Sequence, residues 1–228
     1  MKRFVMALVA VFALTLPLSA VRAEEGKAML GKADVSIEVK DGVYFVTEQI
    51  QLLHPNHAPD GKLEHTISKL NGVSAENLRI ATGNEDLTFE EQDGDALQKV
   101  FVQMPEAGSD AFDYSISYQV ALPDGEYKLP LFVPMYAAEK GENLVHISFQ
   151  APEGMVVQPN SFPIVIENNQ NRVESHMINL PSHVSYLFGD SAPVVNSHTL
   201  ISAVTLVILF LILFVWARVE RRNAQRGA

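Results

Sequence analysis

Three histidines, His54, His57 and His65, fall in the run LHPNHAPDGKLEH, with Asp60 and Glu64 between them. Imidazoles three apart on a proline-containing loop can take Cu(II) or Zn(II), and His65 would supply a third nitrogen. Neither helical spacing nor a cysteine fixes them, so a solvated loop between strands competes with the metal reading. Met104, Met135, Met155 and Met177 are scattered, which speaks against a Cu(I) thioether site.

Carboxylates cluster at Glu85, Asp86, Glu90, Glu91, Asp93 and Asp95. Ca²⁺ wants several such oxygens, but the EF-hand register fails: with its glycine at Gly94, Phe89 takes the first ligand position. A solvated hairpin is the expectation. Paired carboxylates also serve glycosidases, yet every acidic chain contains such pairs. The sequence GVSAE at 72–76 lacks the second glycine of a nucleophile elbow, and neither H-E-x-x-H nor a P-loop occurs. No catalytic residue and no cofactor are therefore expected.

The run Tyr127–Tyr136, YKLPLFVPMY, gathers apolar side chains around Pro130 and Pro134. Proline cannot donate to a ladder, so an edge strand is expected. Strand alternation puts Leu129, Leu131, Val133 and Met135 on one side, and Phe132 and Tyr136 on the other. Leu131 is expected inward. Phe132 and Tyr136 are then the candidate partner-binding residues. The competing reading is an ordinary strand whose prolines block edge pairing.

These groups need elements to hold them. Val35, Ile37 and Val39 alternate with Ser36, Glu38 and Lys40. Asp41-Gly42 follows, then VYFVTEQIQLL. Asp-Gly between two alternating runs predicts a hairpin, because both positions accept positive φ. Alternation returns at Tyr114–Val120 and Val145–Phe149, with turn signals at Asp60-Gly61, Asn71-Gly72, Asp93-Gly94, Pro123-Asp124-Gly125 and Pro152-Glu153-Gly154. Only Ser74–Asn77 is given even one turn of helix. The fold class expected over 24–189 is all-β: an extracytoplasmic β-sandwich of the Ig-like class, or two small sandwiches joined near a seam at 105–110.

Residues 1–23 read as a signal peptide: Lys2 and Arg3, an apolar Phe4–Leu16, Pro17, then Val21-Arg22-Ala23 before the cut. Residues 199–217 read as a transmembrane helix. The run LISAVTLVILFLILFVWA carries no charge and spans roughly 30 Å of hydrocarbon. Residues 190–198 are a short linker and 218–228 a basic tail with Arg218, Arg221, Arg222 and Arg226. Positive residues stay in the cytoplasm, so the N-terminal part is expected outside.

Formal net charge is −10, yet only seven of the 17 basic side chains and one of the 27 acids lie outside 24–198, leaving that stretch near −16. Such a surface repels nucleic acid. Cysteine is absent, as is any N-x-Ser/Thr sequon, which leans towards a bacterial envelope.

The stretch DVSIEVKDGVYFVTEQIQLL resembles the start of the extracellular β-domain in a family of uncharacterised bacterial membrane proteins. The resemblance covers about twenty residues and implies a surface β-domain. It brings no functional residues. The expectation is a membrane-anchored, non-catalytic accessory or binding module that meets the bilayer through 199–217 and docks to a membrane or envelope protein. The alternatives are a copper- or zinc-handling envelope protein using the histidine-rich loop, and an exported hydrolase.

Overall fold

The computed structural model describes residues 27–58, 61–70, 73–105, 110–123, 125–139, 144–165, 170–191 and 197–226. The signal-peptide reading at 1–23 lies outside the described residues, as do Asp60, Asn71-Gly72 and most of the 105–110 seam.

The expected hairpin sets the architecture. β1 (Met29–Lys40) and β2 (Val43–Leu53) pair antiparallel, closing at Lys40↔Val43 around Asp41-Gly42. Both turn residues are left-handed, with φ of 51° and 78°. Gly42→Val is expected to lower stability by about 1–2 kcal/mol, because a Cβ strains that conformation; a thermal melt checks it.

β1 and β2 lie inside a seven-stranded sheet. β2 pairs with β8 (Ala111–Ala121), which pairs with β4 (Glu76–Thr82), and β5 (Glu85–Asp86) closes that edge. On its other side β1 pairs in parallel with β11 (Val145–Gln150), and β13 (Arg172–Met177) forms the far edge. A second sheet runs β10 (Val133–Pro134), β3 (Lys62–Ser68), β7 (Leu97–Gln103), β6 (Phe89–Asp93). Two ribbons complete the set: β9 (Lys128–Pro130) with β14 (His183–Ser185), and β12 (Val156–Val157) with β15 (Phe188–Gly189).

Inward rows from both large sheets share one core. Val35, Ile37, Val46, Ile50, Ile116 and Ile147 come from the seven-stranded sheet, and Leu63, Ile67, Val100 and Val102 from the four-stranded one. Strands before the seam, β1 and β2, pair with strands after it, β11 and β8, so both halves of the chain build one sheet. Period-two burial is regular along β2 and β8, as one covered face requires. At Ser74–Asn77 the helical turn gives way to β4, which begins at Glu76. Asn77 is left-handed at φ 53° beside a bulge, and its amide donates to Gln119 Oε1 at 3.0 Å.

The C-terminal helix α1 covers Ser197–Arg226. Within Thr199–Arg222 an 18-residue window has a mean hydropathy of 2.9, and none of that window is buried. The Thr205 hydroxyl donates back to the Ile201 carbonyl at 2.8 Å, which lets a polar side chain sit in an apolar span. The described residues are thus all-β with one helix long and apolar enough to cross a membrane. The helix does not stop at Ala217 but carries the arginines of the basic tail on its last turns.

Candidate functional site

Between the two large sheets sits a buried acid. Glu48 shares the inward row of β2 with Tyr44, Val46, Ile50 and Leu52, and is fully buried. Its pairing partner on β8 is Ile116, so Tyr114 and Tyr118 lie on the two diagonals. The Tyr118 hydroxyl donates to Glu48 Oε1 at 2.7 Å and stands 3.0 Å from the Pro130 carbonyl. The Phe132 backbone N–H donates to the same Oε1 at 2.9 Å. Glu48 Oε2 has no hydrogen-bond partner among the described residues. Burial pushes this carboxyl up to about 8, against the pull of its bonds from Tyr118 and Phe132. At neutral pH Glu48 is therefore mainly the uncharged acid, the form a dry core tolerates.

His65 lies in the inward row of β3, between Leu63 and Ile67, and is fully buried. Its Nε2 is 2.9 Å from the Tyr114 hydroxyl, and the two rings meet edge-on at 5.5 Å. Burial pulls the imidazole down to about 3, so it stays neutral. Tyr114 in turn stacks on Phe112 at 5.5 Å. Glu48, Tyr118, Tyr114 and His65 form a polar seam through the core that ties β2 and β8 to β3.

The structure does not bring the three loop histidines together. His54 and His57 are exposed on the 3₁₀ turn around Pro55–His57, their rings 6.3 Å apart, while His65 is committed to Tyr114 in the core. Among the described residues no three ligand-type side chains converge into a metal-ready array. The acidic stretch is a solvated hairpin edge. Asp86 pairs with Arg79, Glu90 with Lys62 and Asp93 with Lys69.

Phe132 corrects the docking-strip expectation. It is fully buried, as are Leu131 and Leu129. The strip is not one strand: β9 ends at Pro130 and β10 starts at Val133. Leu131 and Phe132 occupy the break, where alternation no longer separates their side chains. Phe132 meets Tyr118 edge-on at 5.0 Å, and Leu131 N–H donates to the Ser182 carbonyl at 3.1 Å. Tyr136 is half-buried and works as a clasp. Its hydroxyl accepts from Glu64 N–H at 3.3 Å and donates to the Lys62 carbonyl at 3.1 Å.

On the outer face of the seven-stranded sheet lies an open polar groove of about 420 Å³, lined by Lys32, Asp34, Gln49, Gln51, Asp113 and Ser115 among others. Lys32 pairs with Asp34 at 2.7 Å, and Gln51 donates to Asp113 at 3.0 Å. Neither this groove nor Glu48 stood out in the sequence. The signal for Glu48 was its parity: in V-T-E-Q-I the acid falls on the same side as Val46 and Ile50.

No family model matches the chain, and no curated protein sequence matches it. Among solved structures, yeast LTA4 hydrolase in complex with bestatin is 12% identical at a TM-score of 0.43, covering 70% of this chain and 28% of that one. Native leukotriene A4 hydrolase from Saccharomyces cerevisiae is 13% identical at a TM-score of 0.41, covering 70% of this chain and 29% of that one. The chain spans less than a third of these neighbours' length. Scores this low carry no argument about activity.

Proposed function

We propose that the chain is a membrane-anchored extracytoplasmic module that binds a membrane or envelope protein and performs no chemistry of its own. The observation that carries this reading is the apolar 18-residue window within Thr199–Arg222, none of which is buried. An uncovered apolar surface of that length needs lipid. The arginines at 218, 221, 222 and 226 support a cytoplasmic C-terminus, and the other flank of the helix, 190–198, holds no Lys or Arg, which supports an outside position for the β-domain. The polar outer-face groove is the surface this reading offers to a partner, in place of Phe132 and Tyr136.

Two measurements test it. A reporter active only in the cytoplasm, fused after Ala228, is expected to be active, and one that works only outside, placed between Asp190 and the helix, is expected to work there. The reverse pattern overturns the orientation. Purification from mild detergents through a C-terminal tag is expected to recover a stoichiometric membrane or envelope protein. Recovery of a lone monomer under every condition counts against the binding role.

A further inference from the structure

Two large apolar side chains, Phe162 and Ile164, project from the ribbon that leads to the helix. Burial alternates from Ser161 to Val165, so these two share an outward face while Ser161, Pro163 and Val165 turn in. Phe162 is 42% exposed and Ile164 62%. Backbone bonds fix the segment. Phe162 N–H donates to the Ser185 carbonyl at 2.6 Å, and Ser185 N–H donates back to the Phe162 carbonyl at 2.7 Å. On its other side Ser185 pairs with Lys128 of β9. Lys128, Ser185 and Phe162 thus stand in one cross-strand row, with the exposed Tyr127 next to Lys128. Glu126 turns its Oε1 back onto the amides of Tyr127 and Lys128, at 3.0 and 2.9 Å.

Both strands of this ribbon lack fixed charge. No Asp, Glu, Lys or Arg occurs in 155–166 or in 175–189, although the chain as a whole is acidic. An apolar projection from such a stretch brings no carboxylate up to anionic head groups. The chain also brings a bilayer close. β15 ends at Gly189, paired with Val156, and Asp190 is seven residues from Ser197, where α1 starts, a span of at most about 25 Å. Ser185 lies five residues before Asp190, roughly 16 Å back along the ribbon.

We propose that Phe162 and Ile164, flanked by Tyr127 and Lys128, form a second membrane contact that rests in the interface of the bilayer holding α1. The inference rests on the reading of α1 as a membrane span. The residue types fit that place. Phenylalanine and isoleucine enter the boundary between head groups and acyl chains. A tyrosine ring sits at the level of the head groups. Lysine lays its apolar stem along the surface and lifts its charge to the phosphates. Two apolar side chains bind a bilayer weakly when free, but the tether at α1 holds them beside it at a high effective concentration. The contact fixes the attitude of the β-domain on the membrane, which a single helix does not.

The test uses the full chain in phosphatidylcholine nanodiscs, with and without bromine near the top of the acyl chains. Bromine quenches tryptophan only at close range. Trp216 is the chain's one tryptophan, so wild type reports the anchor, and Phe162→Trp in a Trp216→Phe background reports the ribbon. Quenching at position 162 is expected to match that at Trp216, with emission shifted to the blue relative to the same protein in denaturant. Adding Ile164→Asp is expected to abolish the quenching. Leu97→Trp in the same background is similarly exposed at 45%, but follows Asp93 and Asp95, and is expected to stay unquenched. Circular dichroism checks that each variant is folded, and Ile164→Trp is the second reporter if Phe162→Trp does not fold. An unquenched position 162 beside a quenched Trp216 overturns the contact and leaves the anchor standing. An unquenched Trp216 overturns the anchor and the contact with it. Equal quenching at position 97, or quenching at position 162 that survives Ile164→Asp, also overturns the contact.

Discussion

Replacing Glu48 with glutamine is expected to leave stability nearly unchanged near pH 4 and to raise it by roughly 4–5 kcal/mol at pH 9. The amide keeps the oxygen that accepts from Tyr118 and Phe132, so the seam stays intact. What changes is titration. The folded carboxyl titrates at about 8, against an ordinary value of 4.5. Below 4.5 both states carry the proton, and Glu48 costs nothing through linkage. Between 4.5 and 8 the unfolded chain ionises while the folded one holds its proton, so stability falls as pH rises. Above 8 the loss is complete. His65 acts in the opposite direction. Its folded value of about 3 lies below the ordinary 6.5, so its contribution is present above 6.5 and is lost as pH falls towards 3. The two slopes cancel between 4.5 and 6.5. Guanidinium melts of wild type and Glu48→Gln, followed by circular dichroism across this range, give the difference directly. Parallel pH curves for the two proteins would remove the buried acid from the account.

Phe132→Ala is expected to cost about 3–5 kcal/mol, the price of a large cavity in a packed core. The ring is fully buried, and its edge-on contact with Tyr118 at 5.0 Å would be lost. Tyr118 is the donor to Glu48, so truncation also loosens the support of the buried acid. Leu131→Ala should cost about 2–5 kcal/mol for the same reason. Met135→Ala, at a site 57% exposed, should change stability by under about 0.5 kcal/mol. The same melts decide it. A negligible effect at Phe132, with a large one at Leu131, would restore the docking strip that alternation first suggested.

These residues also mark how far sequence reasoning reaches. The β1–β2 hairpin was legible because its signals are local: two alternating runs and a turn whose residues accept positive φ. The apolar helix was legible from length and composition alone. Alternation failed at Leu131–Phe132, because Pro130 and Pro134 flank a break between two short strands, and period two holds only along an unbroken one. His65 was read as part of a loop, although K-L-E-H-T-I-S already places it in line with Leu63 and Ile67. The contact between His65 and Tyr114 was not legible at all. It depends on which strands come to face each other across the core, and no local pattern encodes a partner 49 residues away.

The parallel pairing of β1 with β11 has a consequence for how the chain is made. β1 is synthesised among the first strands but is flanked on one side by a partner more than a hundred residues later. Until β11 arrives, an emerging chain presents one long edge of β1 with unpaired amides and carbonyls, beside a half-covered apolar face. Such contacts between distant segments slow folding and lengthen exposure to aggregation. Assembly of this domain therefore waits on nearly its whole length. A chain stalled after β8 is expected to be sticky and protease-sensitive, whereas one released after β14 should resist digestion.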